Sequence, residues 1–346
     1  MKKIILTGGG TAGHIYPALA LIPKLKEYEI HYFGGNGMEK EILKSFPKII
    51  YHEIPTVKLE RKLTLKNLLI PFKLLKSIKL CKKEIKTLKP NIIFSKGGFV
   101  AVPVVMAGHK LKVPIISHES DLSLGLANKI ILRYCNVLCT TFEKTSKLNQ
   151  KCFYTGQPIR DKILNGKKIK FFENDKPVLL VLGGSLGAKF LNDVVTKNLD
   201  ELTKSFNVLH ITGQNNYKKI THKNYINLPY AENIEDYYKS ADIVLSRAGS
   251  GVINELLVLK KLMLLIPLSK NCSRGDQIEN AKYFQELGYS QMIEEENASF
   301  PKIIEKLNEM IKNKEKYLKN MEKSKKNSAN SIILNLIKKY EIKNNN

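Results

Sequence analysis

The residues best suited to chemistry lie in a glycine-rich turn near the start of the chain. Gly8, Gly10 and Gly13 fit the spacing G-x-G-x-x-G, and His14 follows them directly. An apolar run precedes this turn and an amphipathic segment follows it, which predicts a strand, a turn and a helix in that order. Such a corner presents backbone N–H groups and the positive end of a helix dipole to an anion. His14 adds a titratable imidazole at the mouth of the turn.

A second glycine-rich turn has the same organisation in the other half of the chain. The apolar run at residues 178–182 leads into Gly183-Gly184-Ser185-Leu186-Gly187-Ala188, and a helical pattern begins at Lys189. A repeated strand, glycine turn and helix predicts two nucleotide-binding α/β domains that face each other across a ligand cleft.

Polar clusters also follow other predicted strands, at the edge of the sheet where ligands of such domains bind. They are Ser95-Lys96-Gly97-Gly98-Phe99, Ser117-His118-Glu119-Ser120-Asp121, Ser246-Arg247-Ala248-Gly249-Ser250-Gly251 and Gly275-Asp276-Gln277. The turn at Gly249 opens a predicted helix whose N–H groups can hold a diphosphate. Glu255, one turn further, can accept two hydrogen bonds from a ribose diol. Each residue also has a purely structural interpretation, such as a helix cap for Asp276 or a polar strand end for His118.

The elements that must position these clusters follow from the apolar pattern. Apolar runs alternate with helical periodicity along the whole chain, which predicts doubly wound parallel sheets with helices on both faces. The predicted strands are 4–6, 30–33, 49–54, 92–94, 115–117, 137–140, 178–182, 208–212, 226–228, 243–246 and 263–266. A Gly-x-Pro break at Gly156 predicts domains at residues 1–156 and 157–330, followed by a C-terminal helix and polar tail at 331–346.

The composition favours a basic protein of a reducing compartment. The chain has 346 residues, with 57 Lys and Arg against 32 Asp and Glu, which makes a net charge of +25. This excess indicates either an anionic partner or a general lysine-rich background. Five scattered cysteines without a C-x-x-C pair predict neither disulfides nor a zinc site. No apolar run approaches the ~20 residues that span a bilayer, so we expect a cytoplasmic protein or one that lies on a membrane.

One segment, from Leu63 to Lys89, combines an apolar stripe with a lysine-rich face. Eight lysines are interleaved there with a single acid, Glu84, and with Leu65, Leu68, Leu69, Phe72, Leu75 and Ile78. Such an amphipathic helix can lie on anionic lipid. The periodicity by itself favours a helix that packs its leucines on the sheet and turns its lysines to water.

Taken together, the motifs resemble the MurG family within glycosyltransferase family 28, the peptidoglycan N-acetylglucosaminyltransferases that make lipid II. The opening turn is similar to G-G-T-x-G-H-x-x-P, the second glycine turn to G-G-S-Q-G-A, and Gly156-Gln157-Pro158-Ile159-Arg160 to G-N-P-V-R. His118-Glu119-Ser120-Asp121 with Leu126-Ala127-Asn128-Lys129 resembles H-E-x-N followed by T-N-K. Three positions depart from the family pattern: Phe99 stands for a tyrosine, Ala101 for a serine and Asp121 for an asparagine that contacts the donor.

The resemblance implies the glycosyltransferase-B fold, with two Rossmann-like α/β domains facing across a cleft. It implies transfer of GlcNAc from UDP-GlcNAc to the muramyl 4-hydroxyl of lipid I with inversion, without a required cofactor, a divalent cation being at most stimulatory. We expect His14 to be the general base, with Glu119 as the alternative base or as its electrostatic partner. The substrate-binding residues expected from the resemblance and the clusters are Thr11, Ala12, Gly13, Asp121, Asn128, Arg160, Ser185, Ala231, Arg247, Ser250, Gly251, Val252, Ile253, Asn254, Glu255 and Gln277.

The implied acceptor also settles how we interpret residues 63–89. Because lipid I is embedded in the membrane, the resemblance favours a segment that binds the anionic inner leaflet, and a peripheral protein on the cytoplasmic face. No nucleic-acid partner is expected.

Three alternatives stay open at this point. Another glycosyltransferase of the same fold, acting on a different lipid, would have a similar cleft. An NAD-dependent oxidoreductase could use the first glycine turn, although the second predicted strand ends in Gly34-Gly35-Asn36 without the acid expected to hold a ribose hydroxyl. A non-catalytic protein that binds nucleic acid is compatible with the charge and leaves the strand-end clusters unexplained.

Overall fold

The computed structural model describes residues 1–56, 70–184, 186–324 and 328–342, and the chain forms two compact units. Unit 1 comprises Met1–Arg160 with Ser328–Asn346, and unit 2 comprises Asp161–Asn327. The first boundary was predicted after residue 156, and the C-terminal helix was predicted to be separate from both domains. The contacts of that helix assign it to unit 1.

Unit 1 contains a sheet of seven parallel strands in the order β3-β2-β1-β4-β5-β6-β7. The strands are β1 Lys2–Thr7, β2 Tyr28–Gly34, β3 Ile49–Glu53, β4 Ile92–Ser95, β5 Ile115–Glu119, β6 Val137–Thr140 and β7 Cys152–Tyr154. The six strands predicted in this half are confirmed. The seventh, β7, is an edge strand of three residues, which is too short to carry a periodic signal.

Helices cover both faces of this sheet. They are α1 Ala12–Leu19, α2 Met38–Leu43, α3 Ile70–Leu88, α4 Ala101–Lys110, α5 Leu126–Ile131, α6 Glu143–Ser146 and the C-terminal helix Ala329–Tyr340, with a 3-10 turn at Ile22–Lys24. Ile78 and Ile85 of α3 pack with Val104 of α4 on one face. Ile15 of α1 packs with Ile333 of the C-terminal helix on the other. This is the doubly wound arrangement that the alternating pattern predicts.

Unit 2 contains six parallel strands in the order β10-β9-β8-β11-β12-β13. They are β8 Val178–Leu182, β9 Asn207–Ile211, β10 Tyr225–Leu228, β11 Ile243–Ser246, β12 Leu262–Leu265 and β13 Gln291–Met292. The helices are α7 Asp161–Leu164, α8 Lys189–Lys197, α9 Leu199–Ser205, α10 Ile234–Ser240, α11 Ser250–Val258, α12 Asp276–Glu286, α13 Phe300–Lys312 and α14 Lys314–Glu322, with 3-10 turns at Gln214–Asn216 and Glu295–Asn297. All five strands predicted in this half are present.

Each sheet has one point at which the strand order reverses. The reversal falls between β1 and β4 in unit 1 and between β8 and β11 in unit 2. Ligands of open α/β sheets bind outside the carboxyl ends of the strands at such switch points. Both glycine-rich turns follow these strands directly, so the topology of each unit places them where a ligand is expected.

The described residues of helix α3 form one buried apolar face and one exposed apolar face. Ile78, Cys81 and Ile85 are buried in the core of unit 1, whereas Phe72 is 72% exposed and Leu75 is 60% exposed. Leu65, Leu68 and Leu69 of the predicted amphipathic segment lie outside the described residues. Within the described ranges, no helix combines the length and the apolar character needed to cross a bilayer.

Candidate active site

The opening turn of unit 1 holds His14 in a defined orientation. Strand β1 ends at Thr7, Thr11 caps α1 with extended backbone, and the N–H of His14 donates to the carbonyl oxygen of Thr11 at 3.0 Å. The Nδ1 of His14 lies 3.1 Å from the carbonyl oxygen of Lys96. Because a carbonyl oxygen can only accept, Nδ1 carries the hydrogen and Nε2 carries the lone pair of the neutral ring. The loop after β4 thereby fixes the orientation of the His14 ring.

The loops after β1 and β4 approach each other through glycines. Gly97 and Gly98 both have positive φ, +79° and +78°, a region that favours glycine. A Cβ on Gly98 would lie 2.8 Å from the carbonyl oxygen of Gly9, and one on Gly97 would lie 2.7 Å from the amide of Asn128. Two adjacent glycines are therefore required here both by the backbone conformation and by the lack of space.

A buried lysine lies directly behind this contact. The side chain of Lys96 is 1% exposed, and its Nζ lies 2.6 Å from His118 Nδ1 and 2.7 Å from Ser120 Oγ. His118 Nε2 lies 3.0 Å from the carbonyl oxygen of Gly156, so His118 donates from Nε2 and accepts at Nδ1. Burial lowers the pKa of Lys96 to about 7, and burial together with Lys96 holds the pKa of His118 well below its usual value. Lys96 thus joins the loops that follow β4 and β5.

Glu119, the alternative base, is buried and already accepts several hydrogen bonds. Its Oε1 accepts from the N–H of Asp121 at 3.1 Å, and its Oε2 accepts from the N–H of Gly125 at 2.9 Å and the amide of Asn128 at 3.0 Å. These donors turn the carboxylate toward its own loop. The geometry therefore favours a positioning role for Glu119 and Asn128, and it favours His14 as the base.

Two further residues of unit 1 that were predicted to bind substrate lie near this cluster. The guanidinium carbon of Arg160 lies 4.6 Å from the ring centre of Tyr16 in α1. Arg160 was predicted to lie at the start of the second domain, and it belongs to unit 1. Asp121 is half-buried, and its charge raises the pKa of Lys96 against the larger effect of burial. Among the departures from the family pattern, Ala101 is fully buried and Phe99 is half-buried.

The second glycine turn, in unit 2, combines a tight contact with an open position. Gly187 has φ of +76°, and a Cβ there would collide with the carbonyl oxygen of Thr212 after β9. Gly184 has φ of +85°, and a Cβ there would meet no atom within 4 Å. The turn is therefore fixed on one side and offers room for a close ligand on the other. Ser185, which was predicted to bind substrate, lies outside the described residues.

Helix α11 presents an open N-terminus at the end of β11. A Cβ on Gly249 or Gly251 would meet no atom within 4 Å, and the first N–H groups of a helix have no intrahelical acceptor. The N-terminus can therefore hold an anion such as a diphosphate. Ile253, by contrast, is fully buried and its N–H donates to the carbonyl oxygen of Gly249 at 3.2 Å, so its side chain serves the core. Val252 is half-buried.

Other residues of α11 that were predicted to bind substrate are oriented by neighbouring groups. The hydroxyl of Tyr238 in α10 donates to Glu255 Oε2 at 3.2 Å, which positions the carboxylate that could accept from a ribose. The amide of Asn254 donates to the carbonyl oxygen of Ser250 at 2.8 Å. Ala231, in the loop after β10, is buried.

Arg247 and Gln277 both connect loops at the same edge of the unit 2 sheet. The guanidinium of Arg247 pairs with Glu295 and donates to the carbonyl oxygen of Ile266 at 3.1 Å. Arg247 was predicted to bind substrate, and these partners also make it a link between the ends of β11 and β12. Gln277 Oε1 accepts from the N–H of Leu268 at 3.0 Å, which fixes the side chain at the start of α12.

Comparison with known proteins assigns the chain to a family. The model of the glycosyltransferase family 28 N-terminal domain matches residues 4–139, and that of the C-terminal domain matches residues 178–336. The chain is 49% identical over 352 residues to the UDP-N-acetylglucosamine–N-acetylmuramyl-(pentapeptide) pyrophosphoryl-undecaprenol N-acetylglucosamine transferase of Clostridium tetani, covering 98% of each chain. The enzyme of the same name from Clostridium botulinum is 48% identical, with 98% of this chain and 99% of the relative covered.

The chain belongs to glycosyltransferase family 28. Solved structures agree on the fold: MurG of Acinetobacter baumannii superposes with a TM-score of 0.76 at 23% identity, covering 98% of this chain and 100% of that one. A UDP-GlcNAc 2-epimerase from Neisseria meningitidis superposes with a TM-score of 0.68 at 14% identity, covering 98% and 100%. Membership of family 28, with its glycosyltransferase-B fold, sets aside both the oxidoreductase and the nucleic-acid-binding alternatives.

Two site residues of this family 28 chain were missed by the sequence analysis. Glu39 accepts hydrogen bonds from the N–H groups of Gly10 and Gly35, and Tyr238 orients Glu255. Glu39 follows the glycines after β2 at a distance of only a few residues, so an acid close to the predicted strand end was the available signal. Tyr238 lies in a helix distant in sequence from α11, and no local pattern indicates its partner.

Proposed function

We propose that this chain transfers GlcNAc from UDP-GlcNAc to the muramyl 4-hydroxyl of undecaprenyl-pyrophosphoryl-MurNAc-pentapeptide, with inversion, as a step of peptidoglycan synthesis. The observation that carries the proposal is the 49% identity to the Clostridium tetani transferase across 98% of both chains. The site geometry supports it, because a base lies at the sheet switch point of unit 1 and an open helix N-terminus lies at that of unit 2.

In the proposed reaction, His14 acts as the general base. The acceptor 4-hydroxyl oxygen bonds to the anomeric carbon, the bond between that carbon and the phosphate oxygen breaks, and UDP leaves with the electron pair. The hydroxyl proton passes to Nε2, which carries the lone pair because Nδ1 donates to the Lys96 carbonyl oxygen. Thr11, Ala12 and Gly13 of the same turn, with Arg160, are the proposed substrate contacts of unit 1.

The leaving UDP is held, in this proposal, by unit 2. The N–H groups at the start of α11 and the turn around Gly184 receive the diphosphate, because both leave room for a close approach. Glu255, oriented by Tyr238, accepts from the ribose, and Gln277 contacts the sugar. No cofactor takes part in these steps, and a divalent cation would act only by screening the diphosphate. We expect activity to persist in the presence of EDTA.

The test is transfer of label from UDP-[14C]GlcNAc to a lipid I analogue by the full chain. We expect labelled lipid and one UDP per sugar, and we expect His14→Ala to lower kcat by about a hundredfold or more. His109→Ala is the matched control, because His109 is an exposed histidine of the same unit, and it should leave kcat unchanged. Wild-type protein without transfer would refute the function, and normal turnover in His14→Ala would refute the base.

We further infer that the exposed face of α3 docks the protein on the anionic inner leaflet, as a peripheral protein of the cytoplasmic face. Phe72 and Leu75 project from this face, and Lys73, Lys76 and Lys79 are exposed beside them. Apolar side chains that insert below the headgroups, flanked by lysines that attract anionic lipid, are the two components of interfacial binding. A lipid-linked acceptor makes such docking necessary.

Sedimentation with vesicles of phosphatidylglycerol and phosphatidylcholine tests this surface. Replacing Phe72 and Leu75 together by Ser should lower vesicle binding by about tenfold or more, because each side chain contributes about 1.5–3 kcal/mol when removed from water. Phe153→Ser is the matched control, since Phe153 is 50% exposed on β7 of the same unit. Equal vesicle binding by the double variant and the control would contradict the docking surface.

A further inference from the structure

A buried carboxylate lies beneath the opening turn. Glu39, in α2, is only 2% exposed. Its Oε2 accepts from the N–H of Gly10 at 3.2 Å, and its Oε1 accepts from the N–H of Gly35 at 2.9 Å. One side chain therefore joins the turn after β1 to the turn after β2. The N–H of Gly10 was expected to approach an anionic ligand, and here it already has an anionic partner within the protein.

Glycines form the walls of the space that this carboxylate occupies. A Cβ on Gly9 would lie 2.6 Å from Oε1 of Glu39, and one on Gly35 would lie 3.0 Å from the same oxygen. A Cβ on Gly37 would lie 3.1 Å from Oε2. Gly9 and Gly37 have Glu39 as their nearest neighbour, whereas a Cβ on Gly35 would first meet Cγ2 of Thr56. A side chain at Gly9 would force the carboxylate out of contact with the backbone.

The carboxylate of Glu39 accepts from backbone N–H groups, and its partners among the described residues include no cation. The charge of Glu39 also affects two nearby tyrosines. Burial raises the pKa of Tyr32 and of Tyr51, and the charge of Glu39 raises both pKa values further. Tyr32 in turn donates to the carbonyl oxygen of Gly8 at 2.7 Å, so the base of the turn is held from two sides.

We propose that Glu39 is a positioning residue with two effects on the opening turn. It prevents phosphate from binding there, and it keeps the turn rigid as a support for His14. The turn then receives the hydroxyl-bearing sugar of the acceptor, and a diphosphate is excluded from it. The reason is electrostatic, because a buried negative charge beneath the turn opposes the attraction that the N-terminus of α1 offers to an anion. The inference deepens the proposed function and rests on it for the identity of the sugar.

A site-resolved binding experiment tests the exclusion of phosphate without relying on activity. The full chain is labelled with [15N]glycine, UDP is added to fill the donor site, and inorganic pyrophosphate is titrated. We expect the Gly10 and Gly13 amide resonances of the wild type to stay unchanged, and those of Glu39→Gln to shift in a saturable manner. Saturable shifts of these two resonances in the wild type overturn the proposal, as does their absence in a folded Glu39→Gln.

Kinetics test the positioning role. Glu39→Gln keeps the shape but replaces one acceptor by an NH2 group that faces a backbone N–H, so we expect kcat to fall by about tenfold or more while KM for UDP-GlcNAc stays within about twofold. Glu41→Gln, which removes an exposed carboxylate of the same helix, should change neither constant. A wild-type kcat in Glu39→Gln overturns the positioning role.

A second variant covers the case in which Glu39→Gln does not fold. Glu39→Asp keeps the charge but is too short to reach both N–H groups, so it should lose kcat and still exclude pyrophosphate. Pyrophosphate binding at Gly10 in Glu39→Asp would contradict the electrostatic reason. Failure of the wild type to transfer GlcNAc would refute the proposed function alone, since the glycine resonances report on the turn independently of catalysis.

Discussion

Replacing Lys96 by Met tests whether the buried lysine loses its proton when the chain folds. Lys96 is 1% exposed and contacts His118 and Ser120, and burial lowers its pKa from 10.5 to about 7. Below pH 7 Lys96 carries its proton in both the folded and the unfolded chain, so burial of the charge lowers the free energy of unfolding by its full amount. Between pH 7 and 10.5 the unfolded chain binds more protons than the folded one, and stability therefore rises with pH.

The size of this effect follows from the two pKa values. A shift of one pKa unit corresponds to about 1.4 kcal/mol, and between pH 7 and pH 9 the Lys96 contribution rises by about 2 kcal/mol when the two titration curves are integrated. For a unit of this size, that free energy corresponds to a change in melting temperature of about 4–8 °C. Lys96→Met lacks the titrating group, so the stability advantage of the wild type over this variant should increase by that amount between the two pH values.

Scanning calorimetry of the wild type, Lys96→Met and Lys110→Met at pH 7 and pH 9 measures this directly. Lys110 is an exposed lysine of the same unit, and its replacement controls for loss of a positive charge. Lys96→Met should also be less stable than the wild type at pH 9, because His118 Nδ1 is left without its donor, at a cost of about 1–3 kcal/mol. A difference between wild type and Lys96→Met that is the same at both pH values would refute the reasoning.

Three further variants probe the site. Gly98→Ala places a Cβ 2.8 Å from the Gly9 carbonyl oxygen at φ +78°, and we expect a loss of about 1–3 kcal/mol in the free energy of unfolding, measured in urea. Glu119→Gln should lower thermal stability and raise KM for the acceptor while kcat stays well above that of His14→Ala. A fall in kcat as large as that of His14→Ala would restore Glu119 as the base. Arg247→Met leaves the half-buried Glu295 carboxylate without its cation, so calorimetry should show a loss of about 1–3 kcal/mol that the second change Glu295→Gln partly restores.

The strands were predictable because each central strand of these sheets is buried on both faces. Continuous apolar runs such as the one ending at Leu6 or Leu182 therefore mark them directly. The two strands that were missed, β7 and β13, lie at sheet edges, with three and two residues. Strands that short, with half-exposed residues, need no apolar run and leave no periodic trace.

The positions of the site residues could be predicted, whereas their partners could not. Polar residues after strands meet at one edge of a parallel sheet, so His14, Lys96 and Glu119 were expected to cluster. What each side chain does depends on which N–H or carbonyl group comes within about 3 Å, and only the folded chain determines that. Thus Glu119 turned out to accept from its own loop, and Arg247 to pair with Glu295.

The central claim is that the chain joins GlcNAc to lipid I with inversion. The most direct measurement is the anomeric configuration of the product that the purified full chain forms from UDP-GlcNAc and a lipid I analogue, read by proton NMR alongside UDP release. We predict a β-linked GlcNAc on the muramyl 4-hydroxyl with one UDP released per sugar. An α-linked product, release of free GlcNAc, or no sugar on the lipid would contradict the claim.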